Sequence, residues 1–125
     1  MNLAPRRLAN VVVLSLAGRI DHSRSDTLRA ALEPHLAACS AEQDRLVLDL
    51  SQLEYISSAG LRVLILAQKQ VKPRGGMFVV AAPQPMVKEI FEISRFTMIF
   101  DIHSSVRGAL EQLSPTALDV FDAKG

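Results

Sequence analysis

The chain has no tryptophan and only one cysteine, Cys39. A single cysteine excludes an internal disulfide and fits a reducing compartment. Neither Cys39 nor the three histidines, His22, His35 and His103, stand at metal-ligand spacing. No metal or cofactor is expected. Aromatic residues make up 5% of the chain and no run of basic residues stands out, so direct contact with nucleic acid is not expected. The 14 basic and 13 acidic residues leave a formal net charge of +1. No apolar run approaches the roughly 20 residues that span a bilayer, so no membrane contact is expected. The start, Met1 to Arg7, lacks the apolar stretch of a signal peptide. The expected location is the cytoplasm.

Catalytic signatures are missing too. The glycines after Leu50 are Gly60, the pair Gly75 and Gly76, Gly108 and the terminal Gly125, which do not compose a phosphate-binding loop or a dinucleotide fingerprint. There is no GxSxG elbow. Asp21, His22 and Ser23 are the three residue types of a hydrolytic triad, but neighbours in sequence cannot converge as a triad requires. No nucleophile and base can be paired, and an enzyme is not expected.

What is present is a core. Hydrophobic residues are 49% of 125, enough for one folded domain. Leu46 to Leu50 is a short, near-continuous apolar run, as in a strand buried on both faces. After a loop, Ser57-Ser58-Ala59-Gly60 opens a helical segment. There Leu61, Leu64 and Ile65, and beside them Val63, Leu66 and Ala67, recur at helical spacing.

Around this unit the chain reads as alternating strands and helices. Leu3 to Arg7 suits a short edge strand, and Val11 to Leu16 a strand ended by Ala17-Gly18. Arg19 to His22 reads as a loop. Ser23 with Asp26 resembles a capping box before a helix striped by Leu28, Ala31, Leu32, His35, Leu36 and Cys39. Pro34 should kink or end that helix. The breaker Lys72 to Gly76 precedes a strand over Met77 to Ala82, and Pro83 to Pro85 opens a helix with Val87, Ile90 and Phe91 inward. A short strand is expected over Ile99 to Ile102, then a helix capped by Ser104 and stopped by Ser114-Pro115. The expected fold is α/β: one domain over residues 1–115, with a four- to five-stranded mixed, mostly parallel sheet and about four helices. Residues 116–125 read as a loose tail.

Several pieces, taken in order, resemble the STAS domain, the family of anti-sigma-factor antagonists. They are Ala17 to Asp21, Leu46 to Ser51, Tyr55 to Leu61, Arg74 to Val80, and Val87 to Ser94. Together they cover roughly residues 3–113. The resemblance implies a domain without catalysis of its own that works by partner switching. In that family a serine kinase of the GHKL ATPase type, often itself an anti-sigma factor, phosphorylates a serine at the start of the second helix. A PP2C-type phosphatase reverses the modification, and the unphosphorylated form binds the kinase. Carried onto this chain, the acceptor is Ser58. The family often has an acid before that serine, whereas this chain has Ser57, a candidate second acceptor.

The candidate docking face comprises Asp21, Ser57, Ser58, Ala59, Gly60, Arg62 and Leu66, with Lys69 and Ile65 beside it. Each has a plainer alternative: Ser58 as a helix N-cap, Asp21 as a turn residue, Gly60 as a steric requirement, Arg62 as part of a solvated face. Asp49 is expected to accept loop hydrogen bonds. Two rival functions stand beside the switch. One is a nucleotide or small-ligand module using the helix N-terminus. The other is a structural subunit of a signalling assembly.

Overall fold

Residues 1–124 are described in a computed structural model. The strands are β1 (Arg6–Leu8), β2 (Val11–Ser15), β3 (Gly18–Ile20), β4 (Arg45–Asp49), β5 (Leu53–Ile56), β6 (Phe78–Ala81) and β7 (Ile102–His103). The helices are α1 (Ser25–Ala37), α2 (Ser58–Val71), α3 (Pro85–Ile93), α4 (Val106–Leu113) and α5 (Pro115–Lys124).

Leu46, Val47 and Leu48 on β4 point alternately into two separate apolar cores, because successive side chains of a strand face opposite ways. Leu46 and Leu48 pack with Leu28, Leu32 and Leu36 of α1, Leu61 and Leu64 of α2, and Val87 and Phe91 of α3. Val47 packs instead with Ala109, Leu110 and Leu113 of α4 and Ala117 of α5. The apolar run therefore marks the middle of a sheet covered on both faces. Leu46, Leu48 and Leu64 are 0% exposed and Val79 is 4%, as expected. Burying such a side chain stabilises the fold by about 1.5–3 kcal/mol.

The main sheet runs β1-β2-β4-β6-β7. β1 is antiparallel to β2, and the remaining pairs are parallel. This is the mixed, mostly parallel five-stranded sheet that the alternation predicted. The register sets Leu14 beside Leu48 and Leu48 beside Val80, which aligns the apolar rows across three strands.

Several local expectations need correction. Arg19 and Ile20, read as loop, belong to β3, which pairs in parallel with β5 as a separate two-stranded ribbon. Three- and four-residue strands are too short to show a period. Pro34 does not divide α1; it lies on the exposed side, where the carbonyl that loses its donor meets water. Ser23 and Asp26 form no capping box. A 3-10 turn over His22–Arg24 leads into α1, the Ser23 hydroxyl donates to Asp21 Oδ1 at 2.7 Å, and Asp26 pairs with Arg29 at 2.6 Å. The cap of α4 is Ser105 rather than Ser104, and the last strand is Ile102–His103, two residues long.

The expected loose tail is helical as far as Lys124. Ala117 is fully buried on α5, the Arg6 guanidinium lies 5.5 Å from the centroid of the Phe121 ring, and Arg107 forms an ion pair with Asp122 at 3.0 Å. Ser114 and Pro115 separate α4 from α5 without ending the packed chain. The Ser114 hydroxyl donates to Asn10 Oδ1 at 2.7 Å and accepts the Ala117 amide at 3.2 Å, thereby capping α5. Gly125 lies outside the described residues. No helix among the described residues is long and apolar enough to cross a membrane.

Candidate functional site

The β3–β5 ribbon sets the site. Arg19 lies opposite Tyr55 and Ile20 opposite Ile56, and the Arg19 guanidinium stacks 4.7 Å from the Tyr55 ring centroid. Both strands run the same way, so their ends deliver Asp21 and Ser57 to one edge of the molecule. One backbone bond fixes this juxtaposition: the Ser57 amide donates to the Ile20 carbonyl at 2.8 Å.

Ser57 is extended, with φ −79° and ψ 167°, and is the N-cap of α2. The Gly60 amide donates to Ser57 Oγ at 3.2 Å, and the Leu61 amide donates to the Ser57 carbonyl at 2.9 Å. The capping role proposed for Ser58 therefore falls to Ser57. Serine and aspartate are about equally good N-caps, so a serine where the family often has an acid preserves this local bond. Ser58 is the first residue of the helix proper and is exposed. Its hydroxyl makes no hydrogen bond among the described residues, so that oxygen is free for chemistry that does not disturb the helix.

Gly60 is held by a close approach. A Cβ there would stand 2.7 Å from Ile56 Cγ1 and 3.0 Å from Ile20 Cγ2. Both isoleucines are buried, so neither side chain has room to yield. The glycine thus seats the first turn of α2 on the ribbon and sets where Ser58 emerges. Ala59 is half-buried between them.

Asp21 is exposed just beyond β3. The Ser23 hydroxyl bonded to its carboxylate holds the pKa below the ordinary aspartate value, helped by the backbone amides of Arg24 and Ser23. Asp49 lies away from this edge; its Oδ1 accepts the Ser51 amide at 3.0 Å, the loop role expected of it.

On α2, Ser58, Arg62, Leu66 and Lys69 recur every third or fourth residue and are all exposed, Leu66 at 48%. Ile65 beside them is half-buried, while Leu61, Val63, Leu64 and Ala67 face the core. Leu66 therefore leaves the apolar set in which its spacing placed it. Shallow grooves flank the stripe. On one side it meets His22, Ser23, Ser25, Asp26 and Arg29; on the other it meets Ser94 beyond α3. The sequence reading missed Arg29 and Ser94, which reach the site only through helix packing. It also missed Gln68, whose buried amide donates to the Phe78 and Ile99 carbonyls at 3.0 and 3.1 Å, tying α2 to the sheet.

The fold and this edge define a class: a small α/β domain that presents an exposed serine hydroxyl and a mixed polar and apolar helix stripe at one edge. Residues 2–109 match the STAS domain. The chain belongs to that family, the family of anti-sigma factor antagonists. It is 37% identical over 109 residues to BtrV of Bordetella bronchiseptica, which carries an anti-sigma factor antagonist's name; the match covers 87% of this chain and 91% of that protein. It is 28% identical over 103 residues to the anti-sigma F factor antagonist of Paenibacillus polymyxa, covering 82% of this chain and 86% of that protein. A crystal structure of an anti-sigma factor antagonist from Mycobacterium paratuberculosis superposes with a TM-score of 0.76 at 25% identity, covering 86% of this chain and 89% of that one.

Proposed function

We propose that this chain is a phosphorylation-switched docking module. When unphosphorylated it binds a serine kinase that is also an anti-sigma factor, of the GHKL ATPase type, in a partner-switching pathway. Anti-sigma factor antagonism is in the names of its relatives, and binding of an anti-sigma factor is carried to this chain from them. The observation that carries the switch is the division of labour between two adjacent serines. Ser57 caps α2, while Ser58 stands exposed with an unengaged hydroxyl.

In the proposed step, Ser58 Oγ takes the γ-phosphoryl group of ATP held by the partner, releasing ADP and a proton. A PP2C-type phosphatase returns the serine by hydrolysis, giving inorganic phosphate. The docking face is Asp21, Ser57, Ser58, Ala59, Arg62 and Leu66; Gly60, assigned to it from the sequence, is buried and seats the turn beneath it. Ser57 is at most a minor acceptor, because its oxygen is half-buried and occupied by the cap. The pathway is cytoplasmic, with no step on nucleic acid or membrane.

Phosphorylation adds about −1.5 to −2 charges and three acceptor oxygens. At the exposed first turn of a helix the free domain accommodates them, since negative charge there is favourable. In a closed interface the same charge has to be desolvated or held off. A penalty of about 3 kcal/mol reduces affinity more than a hundredfold. Mass spectrometry after incubation with the cognate kinase and ATP tests the assignment. Phosphate should appear on Ser58, vanish in Ser58→Ala and persist in Ser57→Ala; the reverse pattern would move the acceptor to Ser57.

A further inference from the structure

Arg62, one turn beyond Ser58, has no ion-pair partner among the described residues. α2 contains two charged residues, Arg62 and Lys69, and no acidic one. Arg62 is exposed and forms neither an ion pair nor a side-chain hydrogen bond among the described residues. Its surroundings explain this. Asp26, across the groove, is bound to Arg29 at 2.6 Å. Asp21 receives the Ser23 hydroxyl. His22 is the remaining titratable group lining that groove, and Lys69 is the other cation lining the groove on the α3 side. Arg62 and Ser58 line that second groove together.

Residues four apart on a helix are neighbours, with Cβ atoms about 5–6 Å apart. A guanidinium offers a planar fork of donors that matches two phosphate oxygens at once. The long arginine side chain spans one turn, and in a helix side chains lean toward the N-terminus, here toward Ser58.

We propose that Arg62 is the internal receiver of the phosphate on Ser58. Resting on the switch reading above, the phosphate draws the guanidinium onto itself and withdraws from the docking face a cation that a carboxylate of the partner meets when Ser58 is unmodified. The modification then acts twice. It places negative charge where the partner's acid sits, and it removes the positive charge that acid was paired with. Charge complementarity along Arg62, Leu66 and Lys69 gives the partner segment its chemistry: acidic groups on either side of an apolar side chain.

The test separates this pairing from the switch itself by using phosphoserine installed at position 58 during translation, so that no kinase is needed. Phosphorus NMR titration reads the second ionisation of the phosphate, near pH 6 for an unperturbed group. An arginine paired with the dianion lowers that value. Arg62→Gln should raise it by about 0.3–0.7 pH unit, the range an exposed ion pair supports. Arg62→Lys should give a smaller rise. Lys72→Gln, which changes net charge equally but lies about 20 Å along the helix, should leave it unchanged. Calorimetric titration of the kinase partner should then show a second effect. Arg62→Gln weakens binding of the unphosphorylated form about three- to tenfold and shrinks the penalty of phosphorylation by a similar factor. An ionisation unmoved by Arg62→Gln, or moved by Arg29→Gln instead, overturns the pairing. A moved ionisation with an unchanged phosphorylation penalty overturns its part in the switch. If phosphorylation does not weaken binding at all, the switch reading fails, while the NMR result still decides the pairing.

Discussion

The amide of Ser57 donates a 2.8 Å hydrogen bond to the carbonyl of Ile20, and this bond joins the two loops of the candidate site. It closes the β3–β5 ribbon at the point where both strands end. Asp21 and Ser58, far apart in sequence, leave the ribbon one residue beyond this bond on either side. Gly60 then presses the first turn of α2 onto Ile20 and Ile56. The position of Ser58 is thus set by backbone pairing and close packing, not by any bond of its own side chain.

Removing the two serines separately should give unequal losses. Ser57→Ala deletes the cap and should cost about 0.5–2 kcal/mol. Ser58→Ala deletes an exposed, unengaged hydroxyl and should stay within about 0.5 kcal/mol of the parent. Urea unfolding of both variants checks this. A larger loss in Ser58→Ala would mean that Ser58 is the structural residue.

Gly60→Ala should be destabilising although alanine is the better helix former. The added methyl meets Ile56 at 2.7 Å, and overpacking of this kind costs about 1–3 kcal/mol. The same change should displace the first turn of α2 and weaken partner binding. A variant more stable than the parent would show that the first turn has room to move.

Ending the chain at Ser114 should lower the melting temperature. α5 covers part of the second core through Ala117, and its loss exposes apolar surface around Leu8 and Val13. An unchanged melt would restore the reading of residues 116–125 as a loose tail.

The Asp21 carboxylate gives a pH test. Its folded pKa lies below the ordinary value because the Ser23 hydroxyl bonds the charged form. Its contribution to stability is therefore present above the unfolded pKa and is lost as pH falls through the folded pKa. Ser23→Ala should raise the Asp21 pKa toward the ordinary aspartate value, read by NMR titration of that carboxyl. An unmoved pKa would assign the shift to the neighbouring backbone amides.

These tests concern details that were unequally legible in the chain. Leu46 to Leu50 announced the central strand because a strand buried on both faces must be apolar at every position, and the structure splits that run between two cores. Helix stripes such as Leu28, Leu32 and Leu36 were equally plain. The ribbon was not, because three residues from Gly18 and four from Leu53 carry no period, and the hydrogen bonds that define them are non-local. α5 was hidden by its composition: Pro115 reads as a stop, yet proline is also suited to the first turn of a new helix. The identity of the cap turned on a single residue, a resolution that pattern does not reach.

The charge account predicts that Ser58→Asp keeps a melt close to the parent, since negative charge in the first turn of a helix is favourable by about 0.3–1 kcal/mol. An unfolded variant would contradict the exposed position of Ser58. Aspartate carries less charge than phosphate, so its effect on binding should be the smaller of the two.

The central claim is that one phosphate on Ser58 turns off partner binding without unfolding the domain. Calorimetric titration of the kinase partner with ADP, using the unmodified protein and the protein phosphorylated at Ser58, measures this directly. The account predicts affinity at least about a hundredfold lower for the phosphorylated form, a loss of roughly 2.7 kcal/mol or more. Equal affinity of the two forms would contradict it.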